Sequence, residues 1–204
     1  QIIISAVDTN LLLKDYMTSF SPGVDDWHFV NWGSVADVGH CSGQSMGMLW
    51  YYTKKRLKGS PPLYDRFDND DKVKTPKLWQ DDVDGYKFCG TLQLDWSRPS
   101  DLSSSSISRG LEFWQGKDHT KALRSFAYAL MVTKQPQLVL IYPPDDRKEK
   151  LREHAMVVYG ISGGTLFIAD PNYPGDKKRR IEYDRVNHRY NPYLFSENAT
   201  WIGI

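Results

Sequence analysis

Cysteine is scarce in this 204-residue chain, which has only Cys41 and Cys89. Two cysteines exclude a disulfide-built scaffold and a four-thiolate zinc site. An excess of either charge is missing too. The 26 Lys and Arg stand against 25 Asp and Glu, so the basic footprint of a nucleic-acid binder is not there. No apolar run approaches the ~18 residues of a membrane-crossing helix. No three or four metal-ligating side chains recur at short spacing, so neither a metal nor another cofactor is expected. The acidic stretches DNDDK (68–72) and DDVDG (81–85) lack the ligand spacing and distal glutamate of a calcium loop and read as surface loops. No internal repeat is visible. The chain starts at Gln1 without a methionine or a signal-like segment, which reads as a mature or trimmed form.

Aromatic residues, by contrast, are plentiful at 13%, and apolar residues reach 40%. That composition argues for a packed domain rather than disorder. A chain of this length buries roughly 70% of its unfolded surface without staples. The one basic cluster, KKRR at 177–180, reads as a solvated turn beside a strand. Asn198-Ala199-Thr200 has the form of a glycosylation acceptor, relevant only in a source that glycosylates.

Periodicity supplies a coarse map. Caps at Asp8-Thr9-Asn10 predict a short helix near 9–19, ended by Ser21-Pro22-Gly23. A loop with aromatic anchors spans 24–40. Apolar or small residues at 41, 45, 48, 49 and 52 mark one face of a helix over 41–57, with cations in its last turn. Residues 60–110 read as a loop-rich insertion with one short strand, TLQLDW, at 91–96. Helical spacing returns over 120–133. QPQLVLIY (135–142) reads as a buried strand. HAMVVYGI (154–161) and TLFIAD (165–170) form a hairpin turning about Ser162–Gly163. RRIEYD (179–184) and TWIGI add further strands. Helices first and antiparallel strands later make an α+β pattern in one domain. Its mainly helical part covers about 1–60 and 111–134, and its sheet part about 135–204.

Three side chains in this map suit thiol chemistry, which needs an ionisable cysteine, a base within reach and a group that orients the base. Cys41 opens a helix in GHCSGQS, where unpaired N–H groups and the dipole favour a thiolate. Gly39 and Gly43 flank it and allow close approach of a substrate backbone. His154 opens one hairpin strand and Asp170 closes the next. Folding about residue 162 brings them almost opposite each other, ~5 Å apart at Cβ. The turn Pro171-Asn172-Tyr173-Pro174-Gly175 would hold Asp170, with Asn172 as a reserve orienter. Each residue alone has a plainer reading: a buried filler, a satisfied histidine, an ordinary turn. Their joint order tips the balance towards a site. Cys89, among apolar neighbours in YKFCGTLQL, reads as core. His40 either tunes Cys41 or is a plain loop residue, while His28, His119 and His188 have no partner pattern.

Gly-x-Cys-x-Gly opening a helix, then His on a strand, then Asp-Pro ending the next, resembles papain-like cysteine peptidases, most closely their bacteriocin-processing-like branch. The resemblance covers roughly 30–204. It implies a helical lobe carrying the Cys41 helix, packed against an antiparallel sheet lobe, with the site in the cleft between. It implies Cys41 as nucleophile, His154 as general base and then acid, Asp170 as orienter, and a thioester intermediate. The family's glutamine a few residues before the cysteine has no counterpart here. Asn31 or the Trp32 indole would stand in as oxyanion donor beside the Cys41 N–H. Gln44, one turn into the helix, either polarises a nearby group or faces a neighbour.

These residues fit a peptidase acting on a peptide or protein substrate. The same triad serves a transglutaminase, deamidase or other acyltransferase. A third alternative is an inactive binding module, with Trp27, Trp32, Trp50 and Trp114 lining a groove or, as plainer packing, filling the core. The family resemblance points to a secreted or envelope protein of a bacterium, with the cytoplasm as the other option. Oligomeric state is left open.

Overall fold

The computed structural model describes residues 14–31, 39–66, 83–97, 118–141, 154–196 and 199–201. Its centre is an antiparallel sheet built around one long strand. Strand β1 (Tyr16–Met17) and strand β2 (Gln137–Ile141) lie end to end along one edge of β3 (His154–Ser162). Strand β4 (Thr165–Ala169) pairs with the other edge, and β5 (Arg180–Ile181) with β4. Two small ladders follow, β6 (Tyr183–Asp184) with β7 (Arg189–Tyr190), and β8 (Tyr193–Ser196) with β9 (Ala199–Trp201).

The β3–β4 turn is Gly163-Gly164, one residue later than the sequence suggests. Both glycines have positive φ, 56° and 94°, which a two-residue hairpin of the right twist requires. The register slips once, between Val158 and Gly160. This bulge at Tyr159 resets the alternation of side chains.

That alternation divides the core. Met156, Val158, Ile161, Leu166 and Ile168 face one way, onto Leu123, Ala127 and Leu130 of helix α3 (His119–Thr133). Val157, Tyr159 and Ala169 face the other way, onto Met48, Tyr51 and Tyr52 of helix α1 (Cys41–Lys54), with Phe20, Trp27 and Phe29 completing the cluster. The helices therefore cover both faces of the sheet rather than forming one lobe on one side of it. Helix α3 is bounded as its sequence dictates: Asp118 caps it by accepting the Lys121 N–H at 3.0 Å, and Lys134 ends it in the left-handed region, at φ 56°.

Three expectations need correction. Within the helix expected at 9–19, residues 14–19 form a bend and β1 instead, because Tyr16 and Met17 pair with Ile161 and Gly160 along the edge of β3 that β2 leaves open; residues 9–13 lie outside the described set. The strand expected at 91–96 belongs to helix α2 (Val83–Ser97), which also takes in 83–85 of the expected acidic loop and places regular structure inside the expected loop-rich 60–110. Its buried stripe is Gly85, Cys89 and Gln93, four residues apart. The stripe contains no large apolar residue, so hydrophobic periodicity could not show it. The helix expected over 41–57 closes at Lys54, and a 3-10 turn (Arg56–Lys58) takes up the rest.

The observed composition is α+β with antiparallel sheets. Among the described residues no helix is long and apolar enough to cross a membrane.

Candidate active site

Cys41 is the first residue of α1, and His40 is its N-cap, with φ −136° and no side-chain cap bond. Gly43 N–H donates to Gln93 Oε1 at 3.1 Å, and Gln44 N–H to His40 O at 2.8 Å. No acidic residue occupies the first turn, so nothing there opposes a negative sulfur. The helix is tied to the sheet beside the site: Ser45 Oγ donates to Ala155 O at 3.0 Å, and Cys41 packs on Leu140 and Ala155.

Gly43 serves this arrangement in a way the sequence does not suggest. A Cβ there would sit 1.9 Å from the Cys89 carbonyl oxygen. The missing side chain lets α2 cross against α1, not a substrate approach the thiol. Cys89 is fully buried at that crossing.

His154 and Asp170 meet as expected, by a slightly different route. The ladder pairs Val157 with Ala169, so its register continued sets Asp170 beside Met156. The two site residues are therefore diagonal neighbours on one face, within reach for side chains of this length, rather than directly opposite. The later turn alone would set Asp170 opposite residue 157, and the bulge brings it back by one, onto the face of His154. His154 Nε2 lies 2.7 Å from Asp170 Oδ1, with both side chains buried. That leaves Nδ1 as the ring nitrogen that can serve Cys41.

Each oxygen of Asp170 is held. Oδ1 also accepts the Asn172 N–H at 2.9 Å, and Oδ2 accepts the Tyr193 hydroxyl at 2.5 Å. Asn172 thus supports Asp170 through its backbone. Arg179 Nη2 stands 3.9 Å from Oδ2, and Arg179 Nε donates to Tyr193 Oη at 2.8 Å.

The charges follow from this packing. Burial pushes the Cys41 thiol up, but hydrogen bonding and attraction to His154, helped by the Ala155 backbone and Ser42, bring it below its ordinary value. Burial lowers the His154 imidazole, and Asp170 first and Cys41 second raise it further, to about 9. Burial raises the Asp170 carboxyl, and His154, Tyr193 and the Asn172 N–H hold it below the usual carboxylate range. All three directions favour the charged forms: a thiol that ionises more readily than usual, an imidazole that holds its proton and a carboxylate that gives its own up.

The remaining candidates divide. Asn31 Oδ1 accepts the His40 N–H at 2.6 Å, and its own N–H donates to Pro171 O at 2.9 Å. The Asn31 side chain is thus fixed one residue from Cys41, between α1 and the Asp170 turn. Gln44 is fully buried and donates to Phe29 O at 2.8 Å; it faces a neighbour, not the thiol. Trp32 and Trp114 lie outside the described residues. Trp27 is core, its indole donating to Gln44 O at 3.1 Å, and Trp50 is half exposed against Phe88. His40 lies in the loop just before α1 and is fully buried there against Tyr86 and Phe29; burial lowers it to about 4, Gln44 opposing. Among the described residues no group of three His, Cys, Asp or Glu could hold a metal ion.

Tyr193 and Arg179 escape a reading of the sequence. Tyr193 lies 23 residues beyond Asp170 in no motif, and Arg179 is one of four consecutive basic residues. The available signal is chemical: a carboxylate buried on both oxygens needs donors for both.

No family model, curated protein or solved structure matches the chain.

Proposed function

We propose that this chain is a papain-like thiol hydrolase, a cysteine peptidase in which Cys41 attacks a peptide carbonyl. The observation that carries this reading is the chain Cys41–His154–Asp170, with its 2.7 Å imidazole–carboxylate contact and a thiol held below its ordinary value by the imidazole. The thiolate attacks, and a tetrahedral oxyanion forms. His154, protonated at rest, gives its proton to the leaving amine and the thioester forms. Water, deprotonated by His154, then attacks the thioester, and Cys41 leaves as the thiolate. Asp170 keeps the imidazole oriented and stabilises its positive charge.

Asn31 is the best-placed stand-in for the upstream glutamine. Its carbonyl end is occupied by His40, which leaves the NH₂ end to donate to the oxyanion together with the Cys41 N–H. Loss of one such donor costs ~10²–10³ in rate.

Alkylation of Cys41 by iodoacetamide against pH tests the reading, with mass mapping to separate Cys89. Rapid labelling well below the ordinary thiol value, lost in His154→Ala, is expected. Peptidase activity against a mixed peptide library is expected to vanish in Cys41→Ala. Labelling that rises only near the free-thiol value of ~8.5, or full activity in Cys41→Ala, sinks the reading.

A further inference from the structure

We infer that Tyr193, braced by Arg179, is a positioning residue of this site: it fixes and keeps ionised the Asp170 carboxylate that orients His154. The inference rests on the proposed thiol chemistry and adds two residues to it.

The Asp170 carboxylate is buried at the sheet end with no water-facing lone pair to spare. His154 and the Asn172 N–H both bind Oδ1. Oδ2 accepts the Tyr193 hydroxyl at 2.5 Å. A distance that short belongs to a hydroxyl donating to an ionised carboxylate. The tyrosine is in turn constrained to donate. Arg179 Nε points its N–H at the same phenol oxygen, at 2.8 Å, and a guanidinium has no acceptor to offer. The phenol oxygen therefore accepts from Arg179, and its one proton goes to Asp170.

Arg179 is itself held. Nη2 donates to Leu194 O at 2.6 Å, and the guanidinium stacks between Tyr173, 3.9 Å from the ring centroid, and Tyr193, 4.9 Å away. The charged and titratable groups facing Asp170 are thus His154 from β3, Tyr193 at the start of β8, and Arg179 just before β5. Cys41 is coupled to it through His154. Tyr193 and Arg179 act on Oδ2 while the imidazole binds Oδ1, so removing the phenol hydroxyl leaves the His154 contact in place but weakens the anion.

Without the Tyr193 hydroxyl the carboxylate loses a hydrogen bond that is stronger to its charged form than to its neutral one, so it takes a proton at higher pH. Once neutral, Asp170 no longer supports the imidazolium, and the thiolate is lost with it. The acid limb of Cys41 reactivity therefore moves up.

The test is iodoacetamide labelling of Cys41 in the full chain as a function of pH, comparing wild type with Tyr193→Phe, with thermal melting alongside. We expect the acid limb of Tyr193→Phe to rise by about one pH unit, the scale of one charge-assisted hydrogen bond. Labelling at pH values above the limb stays within about twofold, since Asp170 is ionised there in both proteins. A purely structural tyrosine lowers the melting temperature and leaves the limb where it was; that result overturns the inference. Should Tyr193→Phe not fold, Arg179→Gln is read the same way. It keeps the phenol but frees its oxygen, and a limb shifted upward by a smaller amount supports the inference, while an unmoved limb overturns it. If wild type itself shows no His154-dependent labelling, the thiol-hydrolase reading falls first, and that failure is recognised before any Tyr193 variant is made.

Discussion

At the scale of single residues, the site is a problem of burying three ionisable groups without losing their charges. Desolvation acts against each charged form, and each is restored by a neighbour within the set. The consequence is a pH window rather than a single pKa, because the thiol and imidazole titrate together. Activity, measured as kcat/KM on a peptide substrate, is expected to be bell-shaped. Its basic limb falls near 9, where His154 loses its proton and can no longer supply it to the leaving amine. Its acid limb lies below the ordinary thiol value, where Cys41 takes up a proton. A basic limb near 7 would show that His154 is not held protonated by Asp170. The three members of this set were legible in the sequence because each sits at a punctuated place: a helix start, a strand start and a strand end before proline. Tyr193 and Arg179 were not, because nothing local distinguishes a tyrosine that will meet a carboxylate 23 residues away.

At the scale of elements, the position of the nucleophile depends on how closely α1 and α2 cross. Two glycines on α1 separate the contributions. At Gly43 a Cβ would meet the Cys89 carbonyl oxygen at 1.9 Å, a backbone atom that cannot move without moving α2. At Gly47 it would meet side-chain atoms of buried Trp27 and partly exposed Phe88 at 3.2 and 3.3 Å, a contact that a shift of a few tenths of an ångström relieves. Gly43→Ala is expected to cost about 3 kcal/mol, the upper range of overpacking. Gly47→Ala gains about 1 kcal/mol of helix propensity and is expected to end near neutral. Urea denaturation of both variants checks the contrast; equal effects would mean that α2 does not pack on this face. The Gly43 variant should also lower the rate of Cys41 labelling, because the first turn of α1 moves with the crossing. Helix α2 is also where the sequence was least legible. Residues 91–96 alternate in a way that suits a strand, while the stripe that packs on α1 consists of glycine, cysteine and glutamine. Helix α3 and the β3–β4 hairpin, by contrast, bury Leu, Ile, Val and Met at regular spacing, and their periods show directly.

At the scale of the whole molecule, the thiolate–imidazolium pair makes an unusual prediction about stability, because forming it moves a proton without taking one up. The ordinary values are 6.5 for histidine and 9.0 for cysteine. Between these, the unfolded chain carries one proton on the pair, on the thiol. Where His154, raised to about 9, keeps its proton and Cys41, lowered below 9.0, has given its own up, the folded chain also carries one. Wherever that charge-separated form prevails the proton counts are equal, and the pair contributes no slope of stability against pH there. Taken singly, the two groups have opposite signs. His154, with a raised folded value, contributes stability present in full below 6.5 and lost as pH rises through its folded value. Cys41, with a lowered folded value, contributes stability present above 9.0 and lost as pH falls through its folded value. Removing the thiol therefore exposes the histidine. In Cys41→Ala, Asp170 still holds His154 protonated, and the folded state now carries one proton more than the unfolded state. Stability of that variant should fall as pH rises from 6.5, by up to about 1.4 kcal/mol per unit, levelling out before 9 because the thiolate no longer helps to raise the imidazole. Urea midpoints of wild type and Cys41→Ala across this range decide the matter. A flat wild type and a descending variant identify a buried pair in which the proton has passed from sulfur to nitrogen. Two parallel curves would mean that Cys41 and His154 do not exchange it.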